Sequence, residues 1–176
     1  MWAKGAMLAV AAALVAPSAS AANALPASGE LSCLRAYLDE CTYTDPDSGL
    51  VLSWPVDWPV RRLRIVTETG PAARARQRDA IRWLSIEYLP DDAVNIATSL
   101  FQVAVLRRSD WVTLSAQPAP PTGIEVATNI ILVAVATVPP ANPYPAGSRD
   151  ADIFDALLLA PLEISRIVQF PPRPRK

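Results

Sequence analysis

From about residue 50 the chain reads as short stretches of alternating apolar and polar residues, punctuated by proline, glycine and aspartate. The best candidate among them for a buried central strand is Ser99–Leu106. Phe101, Val103 and Val105 share one face at period 2, Leu100, Ala104 and Leu106 take the other, and Gln102 is the one polar residue inside the run. Both faces are therefore expected inside protein, which makes this the central strand. Leu50–Trp54 places Leu50, Leu52 and Trp54 on one side. Arg61–Thr69 turns Leu63, Ile65 and Thr67 inward and Arg62, Arg64 and Glu68 outward. Ile81–Leu89 does the same with Leu84, Ile86 and Tyr88, so the two form an antiparallel hairpin whose tip, Ala72–Asp79, reads as a loop. Gly123–Ala127 and Ile130–Val138 make a second hairpin. It turns at Thr128-Asn129, where asparagine tolerates positive φ. Ile130–Val138 is apolar on both faces and suits a place beside the central strand.

Helical spacing is rarer. Asp150–Leu159 carries a stripe of Ile153, Phe154, Leu157 and Leu158, with Ser148 or Asp150 as cap. Ser109 or Asp110 can cap one helical turn after the central strand. Ser32–Glu40 reads as a short amphipathic helix built on Leu31, Leu34 and Leu38. Leu162–Val168, after Pro161, is a second helical turn or a short strand. Between Trp54 and Pro59 two prolines lack donors, so no ladder continues there, and a rigid corner with one indole packed inward is expected. The sum is an α+β protein: a mostly antiparallel, twisted sheet of about six strands with a C-terminal helix on one face.

The first residues read differently. Lys4 is followed by an unbroken apolar run, Ala6–Ala16, then Pro17 and the small-x-small triplet Ala19-Ser20-Ala21. This is the form of a secretory signal peptide, residues 1–21, cleaved near Ala21. At about 1.5 Å per residue the run is too short to cross a hydrocarbon layer of about 30 Å, and no later stretch is apolar enough to span. The expectation is an exported protein, periplasmic or secreted. Residues 22–48 then form a leader and short helix, 49–170 one α+β domain, and 171–176 a solvated, disordered tail.

Export gives meaning to Cys33 and Cys41, the only cysteines in the chain. In an oxidising compartment a pair this close usually bridges. On one unbroken helix they would be about 12 Å apart, beyond the ~7 Å limit between α-carbons. The chain is thus expected to turn back near Asp39. Closing so short a loop contributes about 2–3 kcal/mol. A redox-active pair would use Cys-x-x-Cys spacing instead.

Composition narrows the chemistry further. The chain contains no histidine, and its lysines are Lys4 and the terminal Lys176. Ser-His-Asp and Cys-His catalysis, His-based metal sites, Ser-Lys dyads and Schiff-base lysines are all excluded. No phosphate-cradling glycine loop or Gly-x-Ser-x-Gly elbow is present, so no cofactor and no metal is expected. A net charge of −1 implies no whole-molecule attraction to nucleic acid. Carboxylates remain. Asp47-Ser48-Gly49 matches the triplet of aspartic proteases, but no apolar strand precedes it, and a capped turn is the better reading. Asp45-x-Asp47-x-Gly49 is half a calcium loop that lacks the later bidentate acid. Glu87 and Asp91-Asp92 would make a glycosidase pair only if the fold joined them.

The other conspicuous feature is basic. Arg61, Arg62, Arg64, Arg74, Arg76, Arg78 and Arg82 face only Glu68 and Asp79 within their own stretch, a local charge of +5. Arg74, Arg76 and Arg78 would crowd the hairpin tip, and guanidinium favours bidentate contact with phosphate or carboxylate. With Trp58 and Trp111, both beside turns, they form a candidate binding surface for an envelope protein or an anionic ligand. Against this stands an ordinary solvated loop in a chain whose default base is arginine.

The run Gly49-Leu50-Val51-Leu52-Ser53-Trp54-Pro55 followed by Trp58, the middle strand Leu100-Phe101-Gln102-Val103, a hairpin led by Gly123 and a final helix running into Ile167–Phe170 resemble the Mog1/PsbP-like group of small α+β domains. Its members often open on an apolar strand ending in Pro-x-x-Trp, here Pro55-Val56-Asp57-Trp58. The resemblance spans about residues 49–170 and leaves the Cys33–Cys41 segment outside. It implies an antiparallel sheet with helices packed on it and no shared catalytic residues. Exported bacterial members are similar to small envelope accessory proteins. The functional expectation is therefore a non-catalytic binding role in the cell envelope, of which an inhibitor- or immunity-like role is one form. The alternative is a carboxylate-dependent hydrolase.

Overall fold

The computed structural model describes residues 30–34, 40–55, 58–91, 96–139 and 141–172. The expected signal peptide, most of the leader and residues 173–176 lie outside the described residues. In chain order the elements are β1 (Glu30–Leu34), β2 (Glu40–Thr44), β3 (Val51–Pro55), a single 3-10 turn (Val60–Arg62), β4 (Leu63–Thr69), α1 (Gly70–Arg76), β5 (Arg82–Tyr88), β6 (Thr98–Arg107), α2 (Arg108–Ser115), β7 (Ile124–Thr128), β8 (Leu132–Thr137), α3 (Arg149–Leu157), α4 (Pro161–Ile167) and the two-residue β9 (Val168–Gln169). They form two antiparallel sheets, ordered β1-β2-β3-β9 and β4-β5-β6-β8-β7.

The fold is α+β and antiparallel as expected, with the strands divided between two sheets rather than gathered in one. The division falls at the corner after β3. Pro55 and Pro59 lack the donors that would carry the first ladder onward, so β4 starts a new one. β6 is the middle strand of the five, and β8 lies beside it, opposite Gln102–Arg107.

Between the two sheets lies the main core. Leu52 and Trp54 of β3 meet Leu84, Ile86 and Tyr88 of β5 and Phe101, Val103 and Val105 of β6, with Phe154 and Leu157 of α3 and Ile164 of α4 in the same cluster. Each such side chain, fully buried, contributes about 1.5–3 kcal/mol. The other face of the five-stranded sheet carries a smaller cluster, in which Trp83, Ala104, Leu106, Val133 and Val135 are covered by Ala73 of α1 and Leu114 of α2.

Several expectations are corrected by pairing. Residues 31–34 and 40 belong to strands, not to a helix. Leu31, Leu34 and Leu38 stand at helical spacing, and antiparallel pairing to β2 overrode that local preference. Residues 35–39 lie outside the described residues. The expected loop at 72–79 begins as α1, because three alanines and two arginines are strong helix formers and Pro71 stands at the helix start. Asp79, at φ 63, then reverses the chain into β5. α2 starts at Arg108 without a side-chain cap, so Ser109 and Asp110 lie inside its first turn. Asn129 acts through its side chain rather than through positive φ: its Oδ1 accepts the N–H groups of Ile131 and Leu132 at 2.8 and 2.7 Å. Leu100 leaves the face of Ala104 and Leu106 and joins the inter-sheet core, because a bulge shifts the β5–β6 register between Ile86 and Glu87. Other readings hold. Ser148 caps α3, accepting the Ala151 N–H at 3.1 Å, and the last segment is a helix followed by a strand. Gly123, at φ 132, is required where it stands: a Cβ there would lie 2.6 Å from Val135 Cγ1.

Candidate functional site

Three arginines of the basic stretch, Arg62, Arg64 and Arg82, are matched by carboxylates from outside it. Arg82, at the start of β5, is 4% exposed. Its Nε and one terminal nitrogen donate to Asp45 Oδ1 at 2.8 and 2.5 Å, and its other terminal nitrogen lies 2.8 Å from Asp47 Oδ2. Asp45 is fully buried, and its second oxygen accepts the Ser48 N–H and hydroxyl at 2.9 and 2.6 Å. The Asp47-Ser48-Gly49 triplet is thus part of a locked turn that ties the first sheet to the second. Arg62 pairs with Asp91 and lies 3.5 Å from Asp150, and it donates to the Tyr88 hydroxyl at 2.9 Å. Tyr88 in turn donates to Asp150 at 2.8 Å. Arg64 meets Glu87 at 2.5 Å, directly across the β4–β5 ladder.

The expected tip surface does not form as a set. Arg76 is held by Glu68 at 3.0 Å and lies over the Trp83 ring, 5.1 Å from its centroid. Glu68 pushes the Arg76 guanidinium further up from an already high value. Arg78 pairs with Asp79 at 3.6 Å and donates to Gln117. Among the described residues only Arg61 and Arg74 of the seven make no ion pair. Trp58 packs against the inter-sheet core, whereas Trp111 packs against the cluster on the opposite sheet face. The two tryptophans therefore do not share a surface.

Buried tyrosines stand at both arginine centres. Burial first, then the charge of Asp45, pushes the Tyr43 hydroxyl above its ordinary 10.0, against the pull of Arg82. Burial first, then its bond to Asp150, raises Tyr88. Tyr88, Tyr144 and Phe154 pack edge to face with centroids 5.4–6.1 Å apart, which fixes the Tyr88 ring beneath Asp150.

The register assembles a second feature on the outer face of the five-stranded sheet. Period-2 alternation sets two neighbouring rows across it: Trp83, Ala104 and Val135, then Ser85, Gln102 and Thr137. α1 and α2 seal the part of this face around Leu106 and Val133 and leave Gln102 and Thr137 of the second row open, while Ser85 is buried. The result is a cleft of about 380 Å³, walled by Arg76 and Gln77 on one side and by Thr122, Val138 and Pro139 elsewhere. The bulge sets Ser99 opposite Glu87 and brings it into the lining. Its hydroxyl lies 2.5 Å from that of Ser85 and accepts from Gln102 Nε2 at 3.2 Å. Gln102 Oε1 has no partner among the described residues. Arg76 uses Nε and one terminal nitrogen on Glu68, and its other terminal nitrogen makes no hydrogen bond among the described residues.

Chemically, this cleft offers hydrogen-bonding groups, one cation and an indole wall, and its lining contains no carboxylate. Only Arg76 of the surface expected from the sequence belongs to it. Ser99 and Thr137 were not legible as site residues; the one signal was Gln102, the lone polar residue within the apolar run. Comparison of the chain with protein families, curated proteins and solved structures finds no match.

Proposed function

We propose that the protein is an exported, non-catalytic binding protein of the cell envelope that seats a small, oxygen-rich polar ligand in the cleft on the outer face of the five-stranded sheet. The observation that carries this reading is the set of polar side chains Ser99, Gln102 and Thr137 that line the cleft together, with the buried Ser85 hydroxyl behind Ser99. A polar row across an otherwise apolar sheet face, left open where two helices seal the rest, has the character of a ligand floor. The free nitrogen of Arg76 suits a carboxylate or hydroxyl oxygen at the wall. The hydrolase reading is the weaker one. The candidate acids Asp45, Asp47, Glu87 and Asp91 are engaged with arginines.

Export rests on the Lys4, Ala6–Ala16 and Ala19-Ser20-Ala21 pattern. A Cys33–Cys41 bridge belongs to the same proposal: the register sets the two residues directly opposite each other, within bridging distance for an antiparallel pair, and Cys41 is not a free thiol. A Mog1/PsbP-like relationship is supported by the strand ending at Pro55 ahead of Trp58 and by the last helix running into Val168–Gln169.

Nitrogen-15 NMR with a fragment set of carboxylated and hydroxylated small molecules tests the cleft. The expected result is shifts at the Gln102 side-chain amide, the Trp83 indole and Thr137, abolished by Gln102→Leu. A set that moves none of these, or moves only residues elsewhere, rejects the reading.

A further inference from the structure

The β7–β8 hairpin turns on Ile130 and Ile131, which are 91% and 50% exposed. Two β-branched apolar residues at a hairpin tip oppose both solvation and turn preference, since such positions favour Gly, Asn and Asp. The turn is closed by other groups. Asn129 Oδ1 accepts two N–H groups of the tip, and Asn129 N donates to Leu132 O at 2.9 Å. Nothing in the geometry of the turn calls for isoleucine.

Two arginines lie beside it. Arg107 pairs across the ladder with Leu132, and Arg108 N donates to Ile131 O at 2.8 Å. Both are exposed, and neither side chain makes an ion pair among the described residues. The nearest acid along the chain, Asp110, accepts the Ser109 hydroxyl at 3.1 Å. Val112, 62% exposed, is one turn along α2 from Arg108. Solvated apolar side chains thus project from a base carrying two uncommitted guanidiniums.

We propose that this tip docks the protein on an anionic lipid bilayer. Ile130 and Ile131 enter the boundary between headgroups and acyl chains, and Arg107 and Arg108 hold lipid phosphates around them. A two-residue convex tip does not offer the roughly 800 Å² per partner of a stable protein interface. A bilayer accepts an apolar wedge without a matching surface, and its negative potential rewards a basic collar. The attachment is peripheral: among the described residues no helix is long and apolar enough to cross a membrane.

Flotation of the protein, purified in the form cells accumulate, tests this. The vesicles are phosphatidylcholine alone and an equimolar mixture with phosphatidylglycerol, at low and high salt. The wild type is expected to float with the mixed vesicles and to lose binding in salt. Ile130→Ser with Ile131→Ser should weaken binding about tenfold. Arg107→Gln with Arg108→Gln should weaken it about fivefold per arginine and erase the preference for the anionic lipid. Any contribution of Ala6–Ala16 is common to every variant, and all four side chains are exposed, so unfolding does not confound the result. Arg61→Gln with Arg74→Gln is expected to bind as wild type. The proposal is overturned if the wild type stays below the vesicles, if it binds the neutral lipid equally, if the isoleucine variant floats unchanged, or if Arg61 and Arg74 carry the effect instead.

Discussion

Two groups of arginines in this chain meet opposite fates. Among the described residues, five of the seven between Arg61 and Arg82 end on carboxylates of the same molecule, whereas Arg107 and Arg108 end on none. Along the sequence the first group is the conspicuous one and the second is two residues at the end of a strand. The fold inverts their standing. Strand register brings Glu87 opposite Arg64, and the turn after β2 delivers Asp45 and Asp47 to Arg82. Linear charge density is a poor guide to surface potential where antiparallel pairing can import the opposite charge from a distant segment.

The sharpest way to break the comparison is at Arg82. Arg82→Gln leaves Asp45 charged in a sealed site with only the Ser48 donors, and stability should fall by about 3–5 kcal/mol in urea unfolding. Arg107→Gln should stay within about 0.5 kcal/mol of wild type. Equal effects would mean that the buried pair does not set the two groups apart.

Alkali should act on the first group alone. Tyr43 and Tyr88 stand at its two centres, with folded-state pKa values raised above 10.0 chiefly by burial. The unfolded chain therefore releases these protons first. Stability is fully present below about pH 10 and is lost as pH rises through the folded values, at up to about 1.4 kcal/mol per pH unit for each tyrosine. Tyr144, raised by the same cause, adds to the slope. A urea midpoint unchanged between neutral pH and strong alkali would contradict it.

The smallest effect is expected at Arg64. Its pair with Glu87 is partly solvated, so Arg64→Gln should cost about 0.2–1 kcal/mol, less in high salt, measured by the same unfolding. Arg74→Gln should cost nothing measurable. A large loss at Arg64 would place it with Arg82.

How far the fold was legible follows the same division between local and distant causes. Leu84, Ile86 and Tyr88 were assigned to one face by alternation alone, and all three are buried in the main core. The cap at Ser148 was readable because a serine hydroxyl reaches a backbone N–H three residues on without help from the rest of the molecule. α1 was missed because Gly70-Pro71 and three arginines resemble a loop, although the alanines between them favour a helix. β1 was missed because Leu31, Leu34 and Leu38 stand at helical spacing, and pairing with β2, which local spacing does not report, overrode it. The cleft was missed for a stricter reason: Trp83, Gln102 and Thr137 lie on three strands and come together only through register.

Alternation, proline and composition, all properties of neighbouring residues, determined from the sequence that this is an antiparallel α+β protein with β6 at its centre and without histidine chemistry. The tertiary structure alone decided that there are two sheets, that a bulge turns Leu100 inward, which arginines are neutralised and where a polar row is left uncovered. Those outcomes depend on which segments meet, and the free energy of meeting resides in pairs of residues far apart along the chain.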